Sequence, residues 1–196
     1  MFSAIIQKEY KLREVRVSDA SALWNAIDKN REYLSQWLPF VPSLTLDDER
    51  LFLFSVLAVP RSQRDLIFII KKNRKVCGLV GFKNTDFLNH RTEIGYWLLP
   101  EYQHQGIMTA CVVQLIRWTV EHLDINRIQI KCAVENEPSN AIPQRLKFIK
   151  EGIERDGELL SSGKYTDLNV YSILKREIIS LTEKPFQAKD IEGTNL

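Results

Sequence analysis

The run Gln103-His104-Gln105-Gly106-Ile107-Met108-Thr109 has residue types and a position that could do chemistry. It follows an apolar, strand-like run, Ile94 to Leu99, and a turn, Pro100-Glu101-Tyr102, and it opens a helical run from Ala110 to Leu123. A strand feeding a short polar loop into a helix gathers free backbone N–H groups and the positive end of the helix dipole at one point. Such a point suits an anion, phosphate above all. Gly106 lets the backbone come close to a ligand with no Cβ in the way. Gln103 and His104 add side-chain donors. The same spacing also fits a turn that binds nothing, so the surrounding elements have to decide.

Lys11 to Val17 alternates apolar and polar side chains and predicts a first strand. Ser18 fits an N-cap for a helix carrying Ala22, Leu23, Ala26 and Ile27, and Trp37 to Pro42 is a proline-punctuated aromatic loop. Thr45 with Asp48 forms a capping-box pattern for a second helix that ends by Pro60. Leu66 to Ile70 and Val76 to Phe82 predict a hairpin joined by the basic turn Lys71 to Lys75, and Thr92 to Leu99 a further strand. After the helix behind Gly106 come a strand from Arg127 to Val134 and a helix from near Ser139 to Lys147. Two last strands, Ile149 to Ile153 and Tyr165 to Leu174, flank a loop with Gly157 and Gly163. The expected order is β-α-α-β-β-β-α-β-α-β-β: an α/β class with α+β character, its central mixed sheet flanked by helices on both sides.

At 196 residues, 44% hydrophobic and 27% charged, the chain reads as one globular domain over residues 1–177, with a polar, flexible tail over 178–196. A net charge of +2 argues against nucleic acid or an anionic membrane as principal partner, and the basic turn reads as a solvated surface. No apolar run approaches transmembrane length, and the N-terminus lacks a secretory pattern. Three widely spaced cysteines in apolar surroundings, Cys77, Cys111 and Cys132, read as buried reduced thiols of a cytoplasmic protein, with no metal expected.

Gln103-x-x-Gly106 after a strand resembles the acyl-CoA signature of the GNAT N-acetyltransferases. Glu93 to Leu98 before the loop, Asn136-x-x-Ser139-Asn140, Phe148, Asp167, Tyr171 and the Trp37-Leu38-Pro39-Phe40 loop extend the likeness over roughly residues 10 to 176. As an ordered set they are similar to the RimJ/RimL branch, which acetylates N-terminal amines of ribosomal proteins. The resemblance implies that acetyl-CoA is the co-substrate, its pyrophosphate held by the amides from His104 to Thr109. Its pantetheine arm would lie in a splay between the strand ending Trp97-Leu98-Leu99 and the strand Arg127 to Val134. Asn136 and Asn140 match family residues that contact this arm, and each also fits a helix cap or turn. A protein or peptide N-terminus, such as a ribosomal protein's, is the implied acceptor, and the chain would act as a monomer or homodimer.

The implied reaction is direct attack of an amine on a thioester carbonyl. It needs a neutral amine, donors for the developing oxyanion and a proton for the leaving thiolate. An α-amine, with a pKa near 8 against about 10.4 for lysine, asks little of its base. Glu158 and Glu93 are the two candidate bases, and backbone N–H near Trp97 or Leu98 is the implied oxyanion donor. Many relatives carry a tyrosine proton donor seven residues after the asparagine, but here that position is Pro143. The RimL-like substitute is Ser139, which equally fits an N-cap. A helix begun at Asn136 would hold Pro143 in its interior at about 3 kcal/mol, so a start at Ser139 or Asn140, or a kink, is expected. A small-amine acetyltransferase and a non-catalytic CoA-binding module remain as alternatives.

Overall fold

Short alternating strands in the first half of the chain build the sheet that positions the loop at Gly106. The computed structural model describes residues 3–7 and 9–182. Its strands are β1 (Ser3–Ile6), β2 (Tyr10–Glu14), β3 (Ile67–Lys72), β4 (Lys75–Asp86), β5 (Arg91–Leu98), β6 (Arg127–Ala133), β7 (Ile149–Leu159) and β8 (Tyr165–Leu174). They form one sheet in the order β1-β2-β3-β4-β5-β6-β8-β7. All neighbours are antiparallel except β5 and β6, which run parallel and pair only over Arg91–Glu93 against Arg127–Gln129. Beyond Glu93 the two strands part.

The helices are α1 (Ala20–Asp28), α2 (Arg31–Ser35), α3 (Leu46–Ala58), α4 (Ile107–His122), α5 (Glu137–Arg145) and α6 (Lys175–Thr182). Trp118 of α4 packs edge-on against Phe68, 6.5 Å between ring centroids. Phe68, Val80 and Tyr96 are successive cross-strand partners and so share that face. Tyr96 in turn bonds α5, so α4 and α5 lie on one side of the sheet. Glu93, three residues before Tyr96 in the same strand, points to the other side. The mixed sheet flanked by helices is the expected architecture.

Several boundaries differ from the sequence reading. β1 is an added edge strand, its Ile6 buried beside Tyr10. The basic hairpin turn is only Asn73-Arg74, because Lys71 and Lys72 are drawn into β3 by ion pairs to Asp19 at 3.7 Å and Glu9 at 2.6 Å. Thr45 and Asp48 cap α3 reciprocally, as the pattern predicts. α6 carries Ile178 into the core at 2% exposure, so the boundary set at residue 177 cuts a helix; residues 183–196 of the expected tail lie outside those described.

The later start expected for α5 is corrected: the helix begins at Glu137, and the Asn136 side chain accepts from the Ser139 N–H at 3.2 Å. Pro138 in the first turn favours that start, since an N–H is not needed there. Pro143 then sits in the helix interior with its ring buried. β7 also runs further than expected, to Leu159, which places Glu158 opposite Thr166 on a strand rather than in a loop. It does so through a bulge between Glu154 and Glu158, with Asp156 at φ +49° and its N–H held by Asp167 at 2.8 Å. A Cβ at Gly157 would stand 2.7 Å from the Leu168 side chain, so only glycine fits beside Glu158.

Glu49 in α3 is 6% exposed, and burial lifts its carboxyl to about 7. A carboxyl held above its unfolded value keeps its proton more tightly when folded. The stability it permits is full below about pH 4.3 and is lost as pH climbs through about 7. The melting temperature of Glu49→Gln should therefore exceed wild type by a margin that widens from pH 5 to pH 8, read by calorimetry.

Candidate active site

The loop at Gly106 closes only because two residues take the left-handed conformation, His104 at φ +56° and Gly106 at φ +69°. Gly106 is the N-cap of α4 and has no side chain to offer the first turn. The first intrahelical bond runs from Ala110 N–H to the Gly106 carbonyl at 3.0 Å. The N–H groups of Ile107, Met108 and Thr109 are thus left without a helical acceptor, beside a cleft of about 650 Å³ that these residues line. Arg145 of α5 donates to the Thr109 hydroxyl at 2.9 Å and brings a guanidinium to the same end of the cleft. Three open amides, a dipole end and a cation together have the chemistry to hold a phosphate.

The polar loop residues divide their work. His104 lines the cleft, whereas Gln103 donates through its amide to the Tyr33 hydroxyl and ties α2 to the loop. Gln105 faces away: its side chain accepts from Tyr10 at 2.9 Å and donates to the Glu101 carbonyl at 3.1 Å. It shapes the loop and does not border the cleft.

From the loop the cleft runs along the gap between β5 and β6, past Tyr96, Trp97 and Leu98, and is walled on the far side by Tyr33, Trp37 and Leu38. Leu99 is buried, and its N–H donates to the Cys77 carbonyl of β4 at 2.8 Å. Strand alternation turns the Leu98 N–H the other way, into the gap, as the oxyanion donor requires. Phe40 of the aromatic loop is exposed and takes no part in the lining, while Ser161 of the β7–β8 turn donates to the Ser35 carbonyl at 2.7 Å and closes the rim.

α5 spans the gap. Asn136 lines the cleft while its side chain caps the helix. Asn140 is 6% exposed: its amide donates to the Ala133 and Asn136 carbonyls, each at 2.8 Å, and its oxygen accepts from Asn169 at 2.8 Å and Tyr171 at 3.0 Å. Its side chain is therefore committed inside the protein and reaches no ligand; it fixes where α5 meets β6 and β8. Ser139 borders the cleft with its hydroxyl 3.2 Å from Cys132 Sγ and 3.4 Å from the Tyr96 hydroxyl.

Both candidate bases lie on the face away from α5. Glu93 is 5% exposed and bound by Lys83 Nζ at 2.8 Å. Glu158 is half-buried; burial lifts its carboxyl above the ordinary range, with Lys83 opposing and Glu93 adding to the shift. The structure thus gathers Glu93, Lys83 and Glu158 into one charged group across the gap from Ser139. Lys83, Tyr96 and Arg145 escaped the sequence reading. Lys83 was within reach, since the β4–β5 hairpin sets it opposite Glu93. Among the described residues no cluster of three or more His, Cys, Asp or Glu could hold a metal, and no helix is long and apolar enough to cross a membrane.

Residues 10–149 match the family model described as an acetyltransferase (GNAT) domain. The chain is 35% identical over 183 residues, 90% of this chain and 97% of the other, to YdaF of Bacillus subtilis (strain 168), provisionally named a ribosomal N-acetyltransferase. It is 31% identical over 170 residues, 85% of this chain and 93% of the other, to the ribosomal-protein-serine acetyltransferase of Escherichia coli (strain K12). Among solved structures it resembles RimL, a ribosomal L7/L12 α-N-protein acetyltransferase in complex with coenzyme A and joined to it through a cysteine disulfide. The TM-score is 0.82 and the identity 28%, covering 88% of this chain and 98% of that one.

Gly106→Val places a branched Cβ on a left-handed residue at the mouth of the open amides. Coenzyme A affinity, measured by calorimetry on protein that keeps its wild-type circular dichroism, should fall by roughly tenfold or more, about 1.4 kcal/mol.

Proposed function

The chain belongs to the GNAT acetyltransferases, and on that premise we propose that it acetylates the N-terminal α-amine of a protein, such as a ribosomal protein. It is an acetyl-CoA-dependent N-acetyltransferase. The observation that carries the choice of acceptor is Glu158, a half-buried carboxylate of raised proton affinity with no salt bridge among the described residues. It stands on the sheet face opposite the helix that presents Ser139. A base of that strength suits an α-amine, which loses its proton about two units sooner than a lysine. The names of the two relatives from Bacillus subtilis and Escherichia coli support a ribosomal-protein acceptor.

In this reading acetyl-CoA lies with its diphosphate on the amides of Ile107 to Thr109 and its arm in the strand gap. The amine approaches from the Glu93 and Glu158 side, between the rim at Ser161 and the aromatic loop. Glu158, through a water, takes the ammonium proton. The Leu98 N–H meets the developing oxyanion, and Ser139 returns a proton to the departing thiolate. The thiol end of the carrier then comes near Cys132, and the relative whose cysteine is linked to coenzyme A supports that placement. Glu93 serves as the fixed partner of Lys83, leaving Glu158 as the base.

Mass spectrometry of protein N-termini from cells with and without the gene should show one or a few termini that lose acetylation. Unchanged termini beside turnover of a polyamine would favour a small-amine acceptor. With the acceptor peptide, Glu158→Gln should lower kcat by roughly 10²-fold or more while acetyl-CoA affinity holds. Because Glu158 must be ionised to act, wild-type kcat should rise with pH through a value above the ordinary carboxylate range, and the variant should lose that limb.

A further inference from the structure

Pro143 has no N–H, so the carbonyl of Ser139, four residues back in α5, has no helical donor. The hydroxyl of Tyr96, reaching from β5, donates to that carbonyl at 3.0 Å. A phenol has one proton to give, and here it goes to the carbonyl; its oxygen then faces the Ser139 hydroxyl at 3.4 Å. On the β6 side the same hydroxyl meets Cys132 Sγ at 3.2 Å. Ser139 is thus tied at its backbone and bracketed at its side chain by the two strands that border the gap.

We infer that Tyr96 is the positioning residue for Ser139, supplying from the sheet the hydrogen bond that Pro143 removes from the helix. The inference rests on the acetyltransferase reading, in which Ser139 faces the leaving thiolate. It extends that reading by assigning a task to a side chain that takes no part in the proton transfers. Proline closes the tyrosine route to a proton donor in this chain and, by freeing the Ser139 carbonyl, opens the acceptor that a strand tyrosine uses to set Ser139 in place. Tyr96 is half-buried at the cleft wall, and desolvation pushes its phenol well above the ordinary value, so the proton it donates stays on it throughout the working pH range.

The test is a cycle of Tyr96→Phe, Pro143→Ala and both together, read by melting temperature, kcat and KM for acetyl-CoA. Tyr96→Phe should lower the melting temperature by several degrees and kcat by at least tenfold, with KM within threefold. Pro143→Ala alone should stay within twofold of wild type. The double variant should regain most of both losses, because replacing Pro143 restores a backbone N–H that reaches the orphaned carbonyl. A Tyr96→Phe enzyme within twofold of wild-type kcat, or a double variant no better than Tyr96→Phe, overturns the inference. If Tyr96→Phe fails to fold, recovery of folded, active protein in the double variant supports it and continued failure overturns it. Ser139→Ala distinguishes the layers: unchanged kcat there, beside a restored double variant, removes Ser139 as proton donor and leaves the Tyr96 substitution for the helix bond standing.

Discussion

β5 and β6 pair for three residues and then separate, and the site is built in the space they leave. Parallel strands that part expose N–H and C=O groups on both facing edges, and unmatched backbone groups away from water are costly. α5 relieves much of that cost. Asn140 satisfies the Ala133 carbonyl on the β6 side, and the Ser139 carbonyl receives Tyr96 from the β5 side. One helical turn thus braces both lips of the opening. What remains unpaired is aimed into the cleft, where an extended acyl carrier can pair with it as an added strand would.

Two helices begin at this cleft and their first turns are finished in opposite ways. α5 is capped by its own Asn136, so its end invites no anion. α4 starts at a left-handed glycine with nothing to offer, and its first N–H groups stay open. The difference of one side chain decides which helix end stays open to an anion and which is closed. Arg145 then joins the second to the first through Thr109, bringing a positive charge from the capped helix to the open one.

The gap also separates the two halves of the chemistry. Ser139 belongs to the face covered by α4 and α5, while Glu158, Glu93 and Lys83 belong to the other. In the proposed reaction, a base and a leaving group held on opposite sides of a sheet are kept from direct proton exchange. The charged group is balanced: Lys83 draws Glu158 toward ionisation, while burial and Glu93 push it back, leaving it above the ordinary carboxylate range. A carboxyl held in this way keeps a proton more readily than an ordinary carboxylate does.

The strand, loop and helix around Gly106 were legible in the chain because their signals are local. Period-two alternation, a lone glycine and a helical run each lie within a few residues of one another. The capping box at Thr45 and the mixed character of the sheet were legible for the same reason. The start of α5 was misjudged because the interior cost of Pro143 is local, whereas its remedy, Tyr96, lies 43 residues before Ser139 on another element. Asn140 looked like a ligand contact, since its amide is local but its four partners come from β6, β8 and the helix end. The strand position of Glu158 depends on a bulge fixed by Asp167, and its place within electrostatic reach of Lys83 and Glu93 on the spacing of distant strands. The chain alone therefore determined most of the elements and the open loop at Gly106, which short-range sterics and periodicity dictate. Tertiary packing alone decided which carboxylate is free, which asparagine is spent and what holds Ser139, because burial and partnering are properties of the assembled sheet.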